Sequence, residues 1–310
     1  MSENNGTISM QEMLQEPFVH SSQEQVQEPF VDLVHEEVNE SLQEPVQEQE
    51  QLNSNDSNLQ KVPKLIFIVP YRNRKNHYDL FSETMNNYLK NSEPYIIFYV
   101  HQLDNRSFNR GAMKNIGFLV VKTLYPNDYK NITLVFNDID TMPTSSVKLD
   151  YNTSKGTIKH FYGFDYTLGG IVSINAEDFE SLNGFPNFWA WGYEDNLLQN
   201  RANEKGIVID RSVFYKIYDP NIIHLSDSFI REVNRKEYDR FLQNTNEGIH
   251  SIHDLRYIIN DITGFVDVLD FNTNVKETIE NRIDYDLRNG PAPFKDISRK
   301  RRLPRMKMLF

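Results

Sequence analysis

Three short runs of apolar, β-branched and aromatic residues restrict this chain to a narrow set of folds. They are Lys64-Leu-Ile-Phe-Ile-Val69, Tyr95-Ile-Ile-Phe-Tyr-Val100 and Ile132-Thr-Leu-Val-Phe136. None shows the apolar–polar alternation of a half-exposed strand. A continuous apolar run of that length reads as a strand buried on both faces, as in parallel sheets covered by helices. Helical spacing fills the gaps between them. Tyr78, Phe81, Met85 and Leu89 recur through His77 to Leu89, and Met113, Ile116, Leu119 and Val120 line one face of Asn109 to Leu124. This alternation predicts an α/β chain with a Rossmann-like, mostly parallel central sheet.

In such sheets ligands bind beyond the carboxyl ends of the strands. Polar clusters stand at those ends. Tyr71-Arg-Asn-Arg74 follows the first run, directly after Pro70, and arginine forks suit phosphate oxygens. Asp138-Ile-Asp140 follows the third run and places two carboxylates on one side of an extended segment, as hard divalent cations require. Phe108-Asn-Arg110 leads into the second helix, whose first N–H groups favour anions. Taken singly, each has a plainer reading as surface charge or a solvated turn; their shared placement is what points to a site. Gly169-Gly170 precedes Ile171-Val-Ser-Ile174, and is read equally well as a close approach to ligand or as a tight turn. His224, beside apolar residues, is a ligand only in company with the Asp pair.

The segment Phe185-Pro-Asn-Phe-Trp-Ala-Trp-Gly-Tyr-Glu-Asp195 carries both tryptophans of the chain, Trp189 and Trp191, and then two carboxylates. Aromatics beside carboxylates make poor core, because an unpaired buried carboxylate is costly. They suit a sugar: flat rings stack on a pyranose, and a carboxylate accepts hydrogen bonds from its hydroxyls or takes a proton.

Charge is unevenly distributed. Residues 1–60 hold 13 Asp or Glu and no Lys or Arg, so the net charge of −11 is −13 from this segment and +2 from the rest. The segment repeats Gln15-Glu-Pro-Phe-Val, Gln27-Glu-Pro-Phe-Val and Gln43-Glu-Pro-Val, and its composition predicts disorder. Residues 61–290 read as a single folded domain, and 291–310 as a basic tail. A nearly neutral body without a basic stripe argues against a nucleic-acid partner. With no cysteine, no disulfide or thiolate metal site is available. No run approaches a membrane span and no signal peptide is recognisable, which sets the expectation of a cytoplasmic protein without an integral membrane segment.

Together these stretches resemble the β-1,4-galactosyltransferase family, glycosyltransferase family 7, over about residues 62–272. The matching pieces run in the family's order: Val69-Pro-Tyr-Arg-Asn-Arg74, Phe108-Asn-Arg110 with Asn115-Ile-Gly117, Asp138-Ile-Asp140, Gly169-Gly170, Asn183-Gly-Phe-Pro-Asn187, Trp189-Ala-Trp-Gly-Tyr-Glu-Asp195, His224 and Gly248-Ile-His-Ser-Ile252. The resemblance implies a GT-A fold, a UDP-sugar donor, a glycan or glycoconjugate acceptor, Mn²⁺ and inversion at the anomeric carbon. It implies Asp195 as catalytic base with Glu194 beside it, and Asp140 and His224 as metal ligands. Pro70, Tyr71, Arg72, Arg74, Phe108, Arg110, Asp138, Gly169, Gly170 and Trp191 fall to the donor site. A cysteine-free, unanchored member fits a virus or microbe that glycosylates in the cytoplasm.

The departures from the family bear on substrate. Asn196 replaces an acidic acceptor-binding residue, Tyr193 is bulky where small or basic residues stand, and Thr167 replaces a Tyr that helps select galactose. Galactose and N-acetylhexosamine therefore both remain open as the transferred sugar. The third metal ligand is left to Asn221, Ser226 or water. A catalytically inactive relative that binds nucleotide-sugar or glycan is the competing reading.

Overall fold

The structure, a computed structural model, describes residues 62–226, 228–290 and 292–294. The acidic tail expected at 1–60, and the basic tail at 291–310 apart from 292–294, lie outside the described residues. In chain order the elements are β1 (Leu65–Tyr71), α1 (Lys75–Leu89), β2 (Tyr95–Gln102), α2 (Arg110–Leu124), β3 (Thr133–Asn137), β4 (Thr141–Pro143), β5 (Thr157–Gly163), β6 (Ile171–Asn175), α3 (Ala176–Ser181), α4 (Glu194–Glu204), β7 (Val208–Asp210), β8 (Tyr215–Lys216), β9 (Ile222–His224), β10 (Ile230–Asn234), α5 (Arg235–Leu242), β11 (His253–Asn260), β12 (Phe265–Asn272) and β13 (Arg282–Asp286).

The three apolar runs become β1, β2 and β3 at the heart of a nine-stranded sheet ordered β11-β12-β2-β1-β3-β6-β5-β7, with β8 also on β5. The centre is parallel: β12 with β2, β2 with β1, and β1 with β3. The β3–β6, β6–β5 and β11–β12 pairs are antiparallel, so the whole sheet is mixed. The run in β1 is continuously apolar because both its faces are covered. Ile66 and Ile68 enter a core with α2, α3 and α4, while Leu65, Phe67 and Val69 enter a second core with α1.

Chain order and sheet order together create the crevice. β1 connects through α1 to β2 on one side, and β2 connects back through α2 to β3 on the other. The carboxyl ends of β1 and β3 therefore flank a point where the winding reverses, the usual place for a ligand. Helix α2 is drawn close over it. Asn109 caps the helix by accepting from the Ala112 amide at 2.9 Å. A side chain at Gly117 would fall 2.5 Å from Ile68, so the glycine lets the helix lie against β1.

Candidate functional site

A cavity of about 330 Å³ opens at these strand ends. Pro70, Arg72 and Arg74 line it from the end of β1, Asp138, Ile139 and Asp140 from the end of β3, and Phe108 and Arg110 from the start of α2. Ala190 and Trp191 close one side, and Ser228, Ile230, Arg231 and Glu232 reach in from the β10 arm. The size is at the lower end of the range for small-molecule sites.

Charge in the site is paired. Arg110 Nη2 donates to both oxygens of Asp138 at 3.0 Å, and its Nη1 lies 3.4 Å from Glu194. Lys114, one turn further along α2, is 1% exposed and donates to Asp195 Oδ1 at 3.0 Å, with Asp138 Oδ1 at 3.8 Å. Burial pushes the Asp138 carboxyl up, but Arg110, Lys114 and Arg74 outweigh it and hold the group below the usual carboxylate range. Asp140 moves the other way. Burial and the neighbouring Asp138 charge raise it despite Arg110, His224 and Arg74, the last at 3.4 Å. Burial likewise raises Glu194, against the pull of Arg110. Neither Glu194 oxygen accepts a hydrogen bond from the described residues.

Glu194 and Asp195 open the first turn of α4, where the helix dipole favours negative charge. The chain enters that turn through Gly192 (φ 100°) and Tyr193, which takes a left-handed φ of 71°. The Tyr193 ring offsets that strain by packing 4.9 Å from both Tyr238 and Phe241 of α5. This aromatic anchor gives the bulky Tyr193 a structural task.

The paired glycines lie between the two halves of the site. The Gly170 carbonyl accepts from the Asp138 amide at 3.1 Å, and the Leu168 amide donates to the Asp195 carbonyl at 3.1 Å. A methyl carbon at Gly169 would sit 2.4 Å from Asp195 Oδ2, so the glycine makes room for that carboxylate. Beneath the loop His160 is fully buried. Its Nδ1 accepts from Arg211, so Nε2 carries the proton, within 3.0 Å of the carbonyls of both Tyr162 and Gly169. Burial, then the Arg211 charge, push this imidazole down to about 4.

Asp140 and His224 are brought together by the short β4–β9 pairing, which sets Thr141 opposite His224, and by the Leu225 amide donating to the Asp140 carbonyl at 2.8 Å. Tyr162 Oη holds His224 Nδ1 at 2.7 Å, leaving Nε2 as the nitrogen available for a ligand. A half-buried carboxylate raised by its surroundings and its like-charged neighbour, set beside an anchored imidazole, fits a hard divalent cation. Among the described residues no third His, Cys, Asp or Glu joins them. Asn221 lies in the turn just before β9, and its side-chain amide donates to Asp219 at 3.0 Å.

Several residues singled out from sequence sit elsewhere than that reading supposed. Trp189 belongs to the core: it is 1% exposed, stacks on Phe271 at 5.3 Å and donates from Nε1 to the Val275 carbonyl at 2.8 Å. Only Trp191 faces the cavity. Tyr71 is buried in an aromatic cluster with Tyr78, His101 and Phe265 and does not line the cavity. Arg72 lines it, but its guanidinium donates to the carbonyls of Asp104 and Arg106 and so holds the loop leading to Phe108. Sequence reasoning missed Lys114, although a lone cation inside the apolar stretch Met113 to Val121, four residues after Arg110, was a readable signal. It also missed Arg231 and Glu232. Nothing local marks them, because β10 is placed by pairing with β13, some fifty residues on.

A family model described as the N-terminal region of glycosyl transferase group 7 matches residues 19–152, and one described as an N-terminal domain of galactosyltransferase matches residues 151–224. A Caenorhabditis elegans xylosylprotein 4-beta-galactosyltransferase is 27% identical over 248 residues, 74% of this chain and 81% of that protein. Human beta-1,4-galactosyltransferase 5 is 30% identical over 158 residues, 48% of this chain and 40% of that longer protein. The catalytic domain of Drosophila β1,4-galactosyltransferase 7, crystallised with xylobiose, aligns with TM-score 0.56 at 20% identity over 69% of this chain and 96% of that one. A complex of a mutant of the fly enzyme with manganese, UDP-Gal and xylobiose aligns with TM-score 0.52 at 19% identity, with the same coverage. These alignments establish the GT-A fold.

Proposed function

The chain belongs to the group 7 glycosyltransferases, and from that premise we propose that it moves a hexose, galactose or an N-acetylhexosamine, from a UDP-sugar to a glycan or glycoconjugate hydroxyl with inversion. Asp195 is the base. One observation carries this reading: Arg110 and Lys114, on one face of α2, pair Asp138, which lines the donor cavity, and Asp195, which does not line it but lies 3.9 Å from the cavity's Arg110. A carboxylate is thus held within one side chain of the place where the diphosphate would lie.

The acceptor hydroxyl is a poor nucleophile until its proton is taken. Asp195 removes that proton as the hydroxyl oxygen bonds to the anomeric carbon. The bond from that carbon to the diphosphate oxygen breaks on the opposite face, and UDP leaves with the electron pair. A single displacement with one carboxylate inverts the centre. Arg74 and Arg110 favour the negative charge that grows on the leaving group. A divalent cation held by Asp140 and His224, with Asn221, Ser226 or water completing the shell, would add Lewis-acid stabilisation to the leaving group. Trp191 offers a half-exposed ring on which a sugar stacks. The manganese and UDP-Gal of the fly complex support this donor and ion, and its xylobiose supports a glycan acceptor.

The test is a panel of UDP-sugars with Mn²⁺, read by UDP release with and without simple glycan acceptors. We expect acceptor-stimulated release with at least one UDP-hexose. Asp195→Asn should lower kcat by about 10²–10⁴-fold, the usual worth of a general base. Unchanged turnover in that variant would remove the base assignment, and no release from any donor by folded protein would favour a binding module.

A further inference from the structure

Lys114 is buried deeply enough that its ammonium needs a reason. It is 1% exposed in the middle of α2, and a desolvated cation persists in a fold only when paired. Two cations one turn apart on α2 divide the site's carboxylates. Arg110 takes Asp138 at 3.0 Å through both oxygens and stands 3.9 Å from Asp195. Lys114 takes Asp195 at 3.0 Å and stands 3.8 Å from Asp138. The ammonium is itself held in place. It lies 4.5 Å from the centroid of the Phe185 ring, and Asn115 grips the Phe185 backbone by accepting from its amide at 2.9 Å and donating to its carbonyl at 2.7 Å. On the far side of the carboxylate, Asp195 Oδ2 fills the space where Gly169 has no side chain.

We infer that Lys114 is a positioning residue for Asp195: it clamps Oδ1, so that with Gly169 behind Oδ2 the carboxylate is held in one orientation toward the acceptor. The inference rests on the reading of Asp195 as base. Lys114 touches no substrate in this scheme and acts through Asp195. Its loss therefore shows in kcat rather than in donor affinity, since Arg110 keeps Asp138 in place.

The experiment is a double-mutant cycle on the full chain, read by UDP release with donor and acceptor varied separately. Lys114→Met keeps the length of the side chain and removes the charge. We expect kcat to fall about 10–100-fold, the scale of a misaligned catalytic group, with donor KM within about threefold of wild type. In the Asp195→Asn background the same substitution should change kcat less than about threefold, because the group it positions is already lost. Lys114→Arg, which keeps the charge but moves it, should give an intermediate kcat. A wild-type kcat in Lys114→Met, or an undiminished further loss in the Asp195→Asn background, overturns the inference. If Lys114→Met does not fold, Lys114→Arg decides, and a wild-type kcat there overturns it equally. Failure of the underlying reading is separable: Asp195→Asn would then retain full turnover whatever stands at Lys114.

Discussion

Gly169→Ala is a small substitution aimed at one atom. Its added carbon would lie 2.4 Å from Asp195 Oδ2 and 2.9 Å from Cγ, whereas ordinary contact starts at 3.4 Å. The carboxylate oxygen must therefore retreat by about 1 Å. Two features keep this displacement from becoming general damage. The backbone at Gly169 does not take a positive φ, so alanine fits without torsional strain. The atoms that must yield belong to the Asp195 side chain rather than to backbone. Stability should then change by less than about 1 kcal/mol. Activity should not be spared, because a catalytic group misplaced by about 1 Å costs on the order of 10²-fold, or about 2.7 kcal/mol in the barrier. The assay is UDP release at saturating donor and acceptor beside a thermal melt. We expect kcat down about 10²-fold, donor KM nearly unchanged and the melting midpoint within a few degrees of wild type. A variant with wild-type kcat would refute the argument that Gly169 exists to seat Asp195. Gly170→Ala is the contrast: there φ is 77° and the new carbon would meet the Tyr162 carbonyl at 2.3 Å, so the fold itself should suffer.

Other consequences can be checked in the same preparations. His160 is held neutral, with its imidazole lowered to about 4 from 6.5. A His with a lowered folded value contributes stability that is complete above pH 6.5 and lost as pH falls toward 4, here about 3 kcal/mol. Denaturant titrations of wild type and His160→Gln at pH 7.5 and 5 should show the larger pH loss in wild type; equal losses would show that His160 does not carry it. Tyr193→Gly relieves a left-handed residue at about 1–2 kcal/mol but removes two aromatic contacts and the ring's burial, together about 3–4 kcal/mol, so a net loss near 2 kcal/mol is expected. A stabilised variant would contradict that balance. Tyr162→Phe deletes the hydroxyl that holds His224 Nδ1, and should raise the Mn²⁺ concentration for half-maximal UDP release about 10-fold or more. An unchanged Mn²⁺ requirement would detach His224 from the metal.

The central strands were legible because a strand buried on both faces leaves a local mark, an unbroken apolar run. The clusters at Arg72–Arg74 and Asp138–Asp140 were legible for the same reason, since each immediately follows such a run. Trp189 shows where that reasoning stops. Its neighbours in sequence suggested a sugar platform, but its neighbours in space, Phe271 and Arg106, make it core. Tyr193 read as an oddity in an acceptor site, and only the packing of α5 against it explains its size.

By itself the amino-acid sequence determined the α/β class, the order of the motifs and the chemical types gathered at the strand ends. These are properties of hydrophobic period and of residues close along the chain. The tertiary structure alone decided which carboxylate meets which cation. Arg110 and Lys114 are neighbours on a helix, but Asp138 and Asp195 reach them from the end of β3 and the start of α4. Charge pairing in a desolvated site depends on distance in space, and differences as small as that between 3.0 and 3.8 Å assign Lys114 to Asp195.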